Sequence, residues 1–164
     1  MRAAALVALL TLPAAAEAGG LPKGATYIIQ LTGSQYASGL GEYIVPPFAR
    51  ALSRTGMKSK VAGADFAATL QSESDVGAWY DVQGEEVWLY TLTVTAGLTP
   101  AEIDVEPEGV VSPWFSVSAR ILTEDADRLD EFNCLVALAT QELAKRYRPK
   151  GQVLIDGRFC NRKE

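Results

Sequence analysis

The sequence contains no histidine. A Ser-His-Asp or Cys-His arrangement therefore cannot be built within this chain, and zinc sites that rest on imidazole are excluded with it. Catalysis would fall to carboxylates, lysine, tyrosine or serine. None of these is marked by a telling spacing, so no catalytic residue is assigned, and no cofactor is implied. Cysteine is scarce, at two residues, and the two do not form a Cys-x-x-Cys pair. Basic charge is also short: 15 Lys and Arg stand against 20 Asp and Glu, a net charge of −5. That balance argues against nucleic acid and anionic membrane surfaces, both of which select basic patches. Long hydrophobic runs are missing too. The most apolar stretch, residues 3–16, has about 14 residues, whereas a helix needs roughly 20 to cross a bilayer core.

That stretch has another explanation. Arg2 precedes it, and Ala16-Glu17-Ala18 follows, with small residues at −3 and −1 of a cut before Gly19. This is the pattern of a secretory signal peptide over residues 1–18. The first twenty residues hold no cysteine to carry a lipid. Removal leaves 164 − 18 = 146 residues, enough for a single exported globular domain over 19–164. The expected location is periplasmic or secreted, with no stable membrane insertion after cleavage.

Export decides how Cys134 and Cys160 read, because disulfides persist in oxidising compartments. Cys134 lies 13 residues before the expected helix end at Tyr147, roughly 20 Å of helix. After "RPKGQ" the chain runs on as "VLIDGRFC", where seven steps of strand cover roughly 23 Å. A strand folded back along the helix brings Cys160 level with Cys134. The expectation is a disulfide closing a loop of 160 − 134 = 26 residues. Two free thiols, or a metal or redox site, are the other readings, and two cysteines without histidine make a poor metal set.

The remaining chain divides into short elements. "ATYIIQLT" reads as a buried first strand, and "IVPPFARALSRTGM" as a helix with prolines in its first turn and Gly56 as its stop. "KSKVAGA" is a second strand. "DFAATLQSES" reads as a short helix, with Asp65 as N-cap and Phe66 and Leu70 at i,i+4. "VGAWYDV" and "EVWLYTLTVTA" flank "QGE" as a hairpin. Trp88, Tyr90, Leu92 and Val94 share one face of its second strand; Val87, Leu89, Thr91, Thr93 and Thr95 share the wetter one. "WFSVSARIL" is a further strand. "EDADRLDEFNCLVALATQELAKRYR" is a long helix, with acids at its start, bases at its end and a stripe of Leu129, Phe132, Val136, Ala139, Leu143 and Tyr147. The order β-α-β-(α)-β-β-β-α-β predicts a single α+β, or mixed α/β, domain with a mixed sheet of five to six strands and two main helices packed on it.

Four groups are candidates for chemistry. Asp104, Glu106 and Glu108 stand like positions 1, 3 and 5 of a calcium loop; but position 12 is Phe115 and Pro107 stiffens the segment, so a solvated acidic loop is the better reading. Gly33, Gly39 and Gly41 in "GSQYASGLGEY" expose backbone N–H groups that suit an anion, yet the P-loop ending and the third dinucleotide glycine are both missing. Asp125, Asp127, Asp130 and Glu131 suit general acid–base work, but their place at a helix start is explained by the dipole alone. Trp79, Tyr80, Trp88 and Tyr90 offer a binding surface or a cross-strand packing cluster, and Trp79 and Tyr80 point to opposite faces.

These readings favour an exported, non-enzymatic binding or accessory domain that meets another envelope or extracellular protein. A small-ligand or cation carrier, and a carboxylate- or Ser/Lys-based enzyme, are the alternatives. Oligomeric state is not legible in the sequence.

Overall fold

The computed structural model describes residues 19–31, 35, 38–101 and 113–161. Strand β1 (Thr26–Ile29) leads into helix α1 (Gly41–Arg54), followed by the two-residue β2 (Lys58–Ser59) and by β3 (Phe66–Ser74). The hairpin β4 (Ala78–Val82) and β5 (Glu85–Pro100) comes next, then β6 (Phe115–Thr123), helix α2 (Leu129–Arg146) and β7 (Gly151–Asp156). A 3-10 turn over Arg158–Asn161 follows β7.

The strands form one seven-stranded sheet in the order β2-β1-β3-β5-β6-β7, with β4 paired to β5 beyond the end of β3. β1 is parallel to both β2 and β3, β5 is antiparallel to β3 and β6, and β7 is parallel to β6. The expected mixed sheet with two main helices is present. It has one strand more than the five to six expected, because residues 66–74 are a strand and not a short helix. Phe66 and Leu70 are four apart, a spacing that lies on one face of a helix and equally on one face of a strand. Residues 66–70 are all buried, and the segment fills the slot between β1 and β5, pairing with both.

Both helices cover one face of the sheet. α1 packs on α2, and α2 lies across β5 and β6. Phe48 and Leu52 of α1 meet Leu135, Val136, Ala139 and Leu143 of α2 over Leu92, Val94, Ala96 and Leu98 of β5 and Phe115, Val117, Ala119 and Ile121 of β6. Each large side chain withdrawn from water here contributes about 1.5–3 kcal/mol. Pro46 and Pro47 lie inside α1, which starts five residues before Pro46 at Gly41. Neither ring has an N–H to give the carbonyls of Glu42 and Tyr43, whose side chains face solvent.

α2 starts later than its acidic lead predicts. Thr123 and Asp125 exchange hydrogen bonds of 3.2 Å, and Asp127 N–H donates to Asp125 Oδ1 at 3.0 Å. These local bonds hold the segment in turns. The helix's own first-turn acids are Asp130 and Glu131, and Leu129 stands outside the stripe, 61% exposed. At the other end, Gly20 and Leu21 N–H donate to the carbonyls of Tyr147 and Ala144 at 3.0 and 3.1 Å, filling acceptors that a helix end leaves open.

The return strand is shorter than expected, ending at Asp156. Cys160 is carried by the 3-10 turn and bonds to Cys134 with the Cα atoms 5.5 Å apart. Gly157 makes the approach possible. A Cβ there would come within 2.5 Å of Leu135 Cδ2 and 2.8 Å of Ile121 Cγ2.

A candidate binding groove on the open face of the sheet

The hairpin arm extends past the end of β6, which stops at Thr123 opposite Tyr90. β3 and β4 follow one edge of β5, with Ser74 opposite Leu92 and Ala78 opposite Leu89. Three residues, 75–77, therefore face two, Tyr90 and Thr91, which is a β-bulge. Bulges bend a strand and increase its twist. The arm's own turn is Gln83-Gly84, with φ of 57° and 88°, the left-handed pair that closes a two-residue hairpin in the sense of the sheet twist.

The face of the sheet opposite the helices carries Thr91, Thr93 and Thr95 on β5, Ser118, Arg120 and Leu122 on β6, and Leu154 and Asp156 on β7, by strand alternation and the observed register. Thr95 and Ser118 hydroxyls bond to each other at 2.8 Å. Where this face meets the arm there is a groove of about 800 Å³. Its apolar lining is Tyr80, Val82, Val87, Leu89, Leu122 and Leu154, and its polar lining includes Arg120, Glu124, Arg128, Asp156, Arg158 and Asn161.

The polar lining is partly prearranged. Arg158 donates to Asp156 Oδ1 through its backbone N–H at 2.9 Å and to Oδ2 through Nε at 2.5 Å. The backbone bond foremost, then the guanidinium, holds the Asp156 carboxyl below the usual carboxylate range. Asn161 Nδ2 donates to the Leu122 carbonyl, fastening the 3-10 turn to β6. Arg128 joins Asp130 at 3.1 Å and Glu131 at 3.3 Å, and its bond to Asp130 raises its already high pKa. Among the described residues Arg120 forms no ion pair. Its side chain is exposed, and its charge also lowers the Asp156 pKa from the neighbouring strand. The groove thus combines an apolar floor with an unpaired guanidinium, the features that take up an extended segment bearing apolar and acidic side chains.

The aromatic candidates separate. Trp79 and Trp88 are cross-strand partners with ring centroids 5.2 Å apart, edge to face. Trp79 is 64% and Trp88 38% exposed, because the arm runs out beyond the helices that cover Leu92 and Val94. Tyr80 lies on the other side and lines the groove, while half-buried Tyr90 shares the helix-bearing face with Leu92. Of the glycine loop, Gly39 adopts φ 72° and Gly41 opens α1; Gly33 lies outside the described residues. Gln35 Nε2 donates to the Leu70 carbonyl at 2.7 Å and ties the loop to β3. Asp104, Glu106 and Glu108 and the whole 1–18 leader also lie outside the described residues. Among the described residues no group of three or more carboxylates or cysteines is placed to hold a metal ion, and no helix is long and apolar enough to cross a membrane.

Sequence reasoning separated Val87 and Leu89 onto the wetter face but did not assemble a groove. Leu122 and Leu154 were the missing members. Their signal was parity with Arg120 and Asp156, which puts two leucines among the serine and charged residues of β6 and β7 on that face.

No protein-family model matches the chain, and no curated protein matches it. Several solved structures resemble it, these two among them. A PDZ domain protein from Parabacteroides distasonis shares 14% identity at a TM-score of 0.47 over 77% of this chain and 33% of its own. The chain therefore spans about a third of that protein's length. A minor lipoprotein from Acinetobacter baumannii shares 12% identity at a TM-score of 0.36 over 73% of this chain and 86% of its own.

Proposed function

We propose that residues 19–164 form an exported, non-enzymatic accessory domain that receives an extended segment of another envelope or extracellular protein in the open-face groove. The observation that carries this reading is the groove itself: an apolar floor of Val87, Leu89, Leu122 and Leu154, with Arg120 unpaired among the described residues, on a sheet face that neither described helix covers. Two further features support export. The Cys134–Cys160 bond suits a periplasmic or secreted location, and residues 1–18 have the composition of a cleavable leader. N-terminal sequencing of the exported product is expected to begin at Gly19.

The test uses the mature chain and its Leu122→Asp variant as paired baits in envelope extract. Leu122 is partly exposed, so the variant should keep the thermal midpoint of the parent. A protein retained by the parent and lost from the variant supports the reading. Identical retained sets, from baits of equal stability, reject it.

A small-ligand carrier is the second reading, favoured by the groove's volume of about 800 Å³, which falls among small-molecule sites of roughly 300–1,000 Å³. A ligand selective for the folded state raises the thermal midpoint. A shift with a small molecule that Leu122→Asp abolishes would move the assignment to this second reading.

A further inference from the structure

Among the described residues the sheet ends at β7, whose middle, from Gln152 to Ile155, carries no charged side chain. Among those residues β7 pairs only with β6. Gly151 N–H donates to the Trp114 carbonyl and Gly157 N–H to the Arg120 carbonyl, so the odd-numbered residues of the strand bond inward. The N–H and C=O groups of Gln152, Leu154 and Asp156 point outward, and among the described residues no backbone bond from another element reaches them. Exposed edges are commonly blunted by proline, lysine or a bulge. The strand Gly-Gln-Val-Leu-Ile-Asp has none of the three, and Leu154 at its centre is 58% exposed.

We propose that β7 is the seam of a symmetric dimer, in which the β7 strands of two copies of this chain pair antiparallel about Leu154. Closed two-fold pairing requires the same patch to complement itself, and this strand does so in one register. Outward-pointing residues must meet outward-pointing residues, because those pairs exchange both backbone bonds. With the axis at Leu154, that side chain meets the partner's Leu154, Gln152 meets the partner's Asp156, and Val153 meets the partner's Ile155. Moving the axis to Ile155 would set Asp156 against the partner's Leu154, and moving it to Val153 would set Gln152 there. Either shift places a polar group against an apolar one. Polarity agrees with this register: at each end of the seam the Gln152 side-chain amide can donate to the partner's Asp156 carboxylate. Leu154 and Asp156 also border the groove, and pairing therefore joins the two grooves into one open surface across the seam. The seam does not depend on what the groove binds.

The test is the mass of the oxidised mature chain in solution, by sedimentation or light scattering over a wide concentration range. The expected result is a two-protomer species that dissociates on dilution. Leu154→Lys should abolish it by setting two ammonium groups face to face, with circular dichroism unchanged and the thermal midpoint equal to that of the parent diluted until it dissociates. Leu154→Cys should cross-link to the partner's equivalent position on mild oxidation, since directly opposed residues in such a pair lie about 5.5 Å apart at Cα, within disulfide reach. Gln152→Cys, equally outward but opposite the partner's Asp156, should not. A single-protomer mass at every concentration overturns the proposal, and so does a dimer that survives Leu154→Lys. Leu122→Asp, off the seam, leaves the dimer intact, so failure of the groove reading and failure of the seam are read separately.

Discussion

The carboxylate of Asp75 takes the place of a missing ladder bond opposite Thr91. Its Oδ1 accepts the Thr91 N–H at 2.8 Å and the Gly77 N–H at 3.0 Å, while the Asp75 N–H donates to the Thr91 carbonyl at 3.2 Å. This one side chain satisfies the bulge that joins the sheet body to the arm, and with it the position of Tyr80 and Val82 over the groove. The Thr91 bond foremost holds the Asp75 pKa below its ordinary value. A carboxyl whose pKa is lower folded than unfolded stabilises the fold above the unfolded value, and loses that contribution as pH falls through the folded one. The Thr91 and Gly77 amide shifts should therefore titrate together, with a midpoint below the ordinary Asp value of about 3.9. Asp75→Ala should speed hydrogen exchange at Thr91 and Gly77 several-fold and leave the amides of β6 unchanged. Unaltered protection at both positions would show that the carboxylate does not hold the bulge.

The disulfide between Cys134 and Cys160 closes a loop of 26 residues. The chain-entropy model assigns such a loop about 3–4 kcal/mol. The double variant Cys134→Ala/Cys160→Ala should lose that much unfolding free energy in a denaturant titration, and oxidised mature protein should show no titratable thiol. The loss should also free the 3-10 turn that brings Arg158 and Asn161 to the groove. Intrinsic fluorescence of the arm tryptophans should change little, because Trp79 and Trp88 are held by the hairpin and not by the turn.

The hairpin and the final helix were legible because each repeats one signal over many residues. β5 alternates apolar and polar side chains for most of its length, and α2 repeats Phe132, Val136, Ala139 and Leu143 at three and four. The helix expected at Phe66–Leu70 failed on a single ambiguous spacing, which only the neighbouring strands resolve. The first turn of α2 failed because Thr123 and Asp125 bond to each other instead of opening a helix. The disulfide was legible from the export signal together with the lengths of helix and return, although the return strand stops at Asp156 and a 3-10 turn carries Cys160 the rest of the way. The groove was not. Its walls come from the arm, β6 and β7, and Leu122 and Leu154 lie more than thirty residues apart, so no local pattern unites them. The bulge at residues 75–77, which increases the arm's twist, depends on a register offset visible only once β3, β4 and β5 are paired.

Glu131 presents a different balance. It is buried to 2% exposure within the first turn of α2. Its Oε1 lies 3.3 Å from an Arg128 guanidinium nitrogen, and its Oε2 has no hydrogen-bond partner among the described residues. A buried carboxylate with one unmet oxygen carries a desolvation cost that a single long contact does not offset. Glu131→Met, which fills a similar volume without charge, should therefore be neutral or more stable, because partly exposed Arg128 keeps Asp130 as its partner. Arg128→Met should act in the opposite direction, because it leaves the carboxylate buried without its counter-charge. In the double variant the penalty of the second substitution should vanish, and urea unfolding of the four proteins measures the difference directly. A clear loss of stability in Glu131→Met alone would mean that this carboxylate contributes more through Arg128 than its burial costs. The inward-facing acid would then be a structural requirement of the helix that presents Arg128 to the groove.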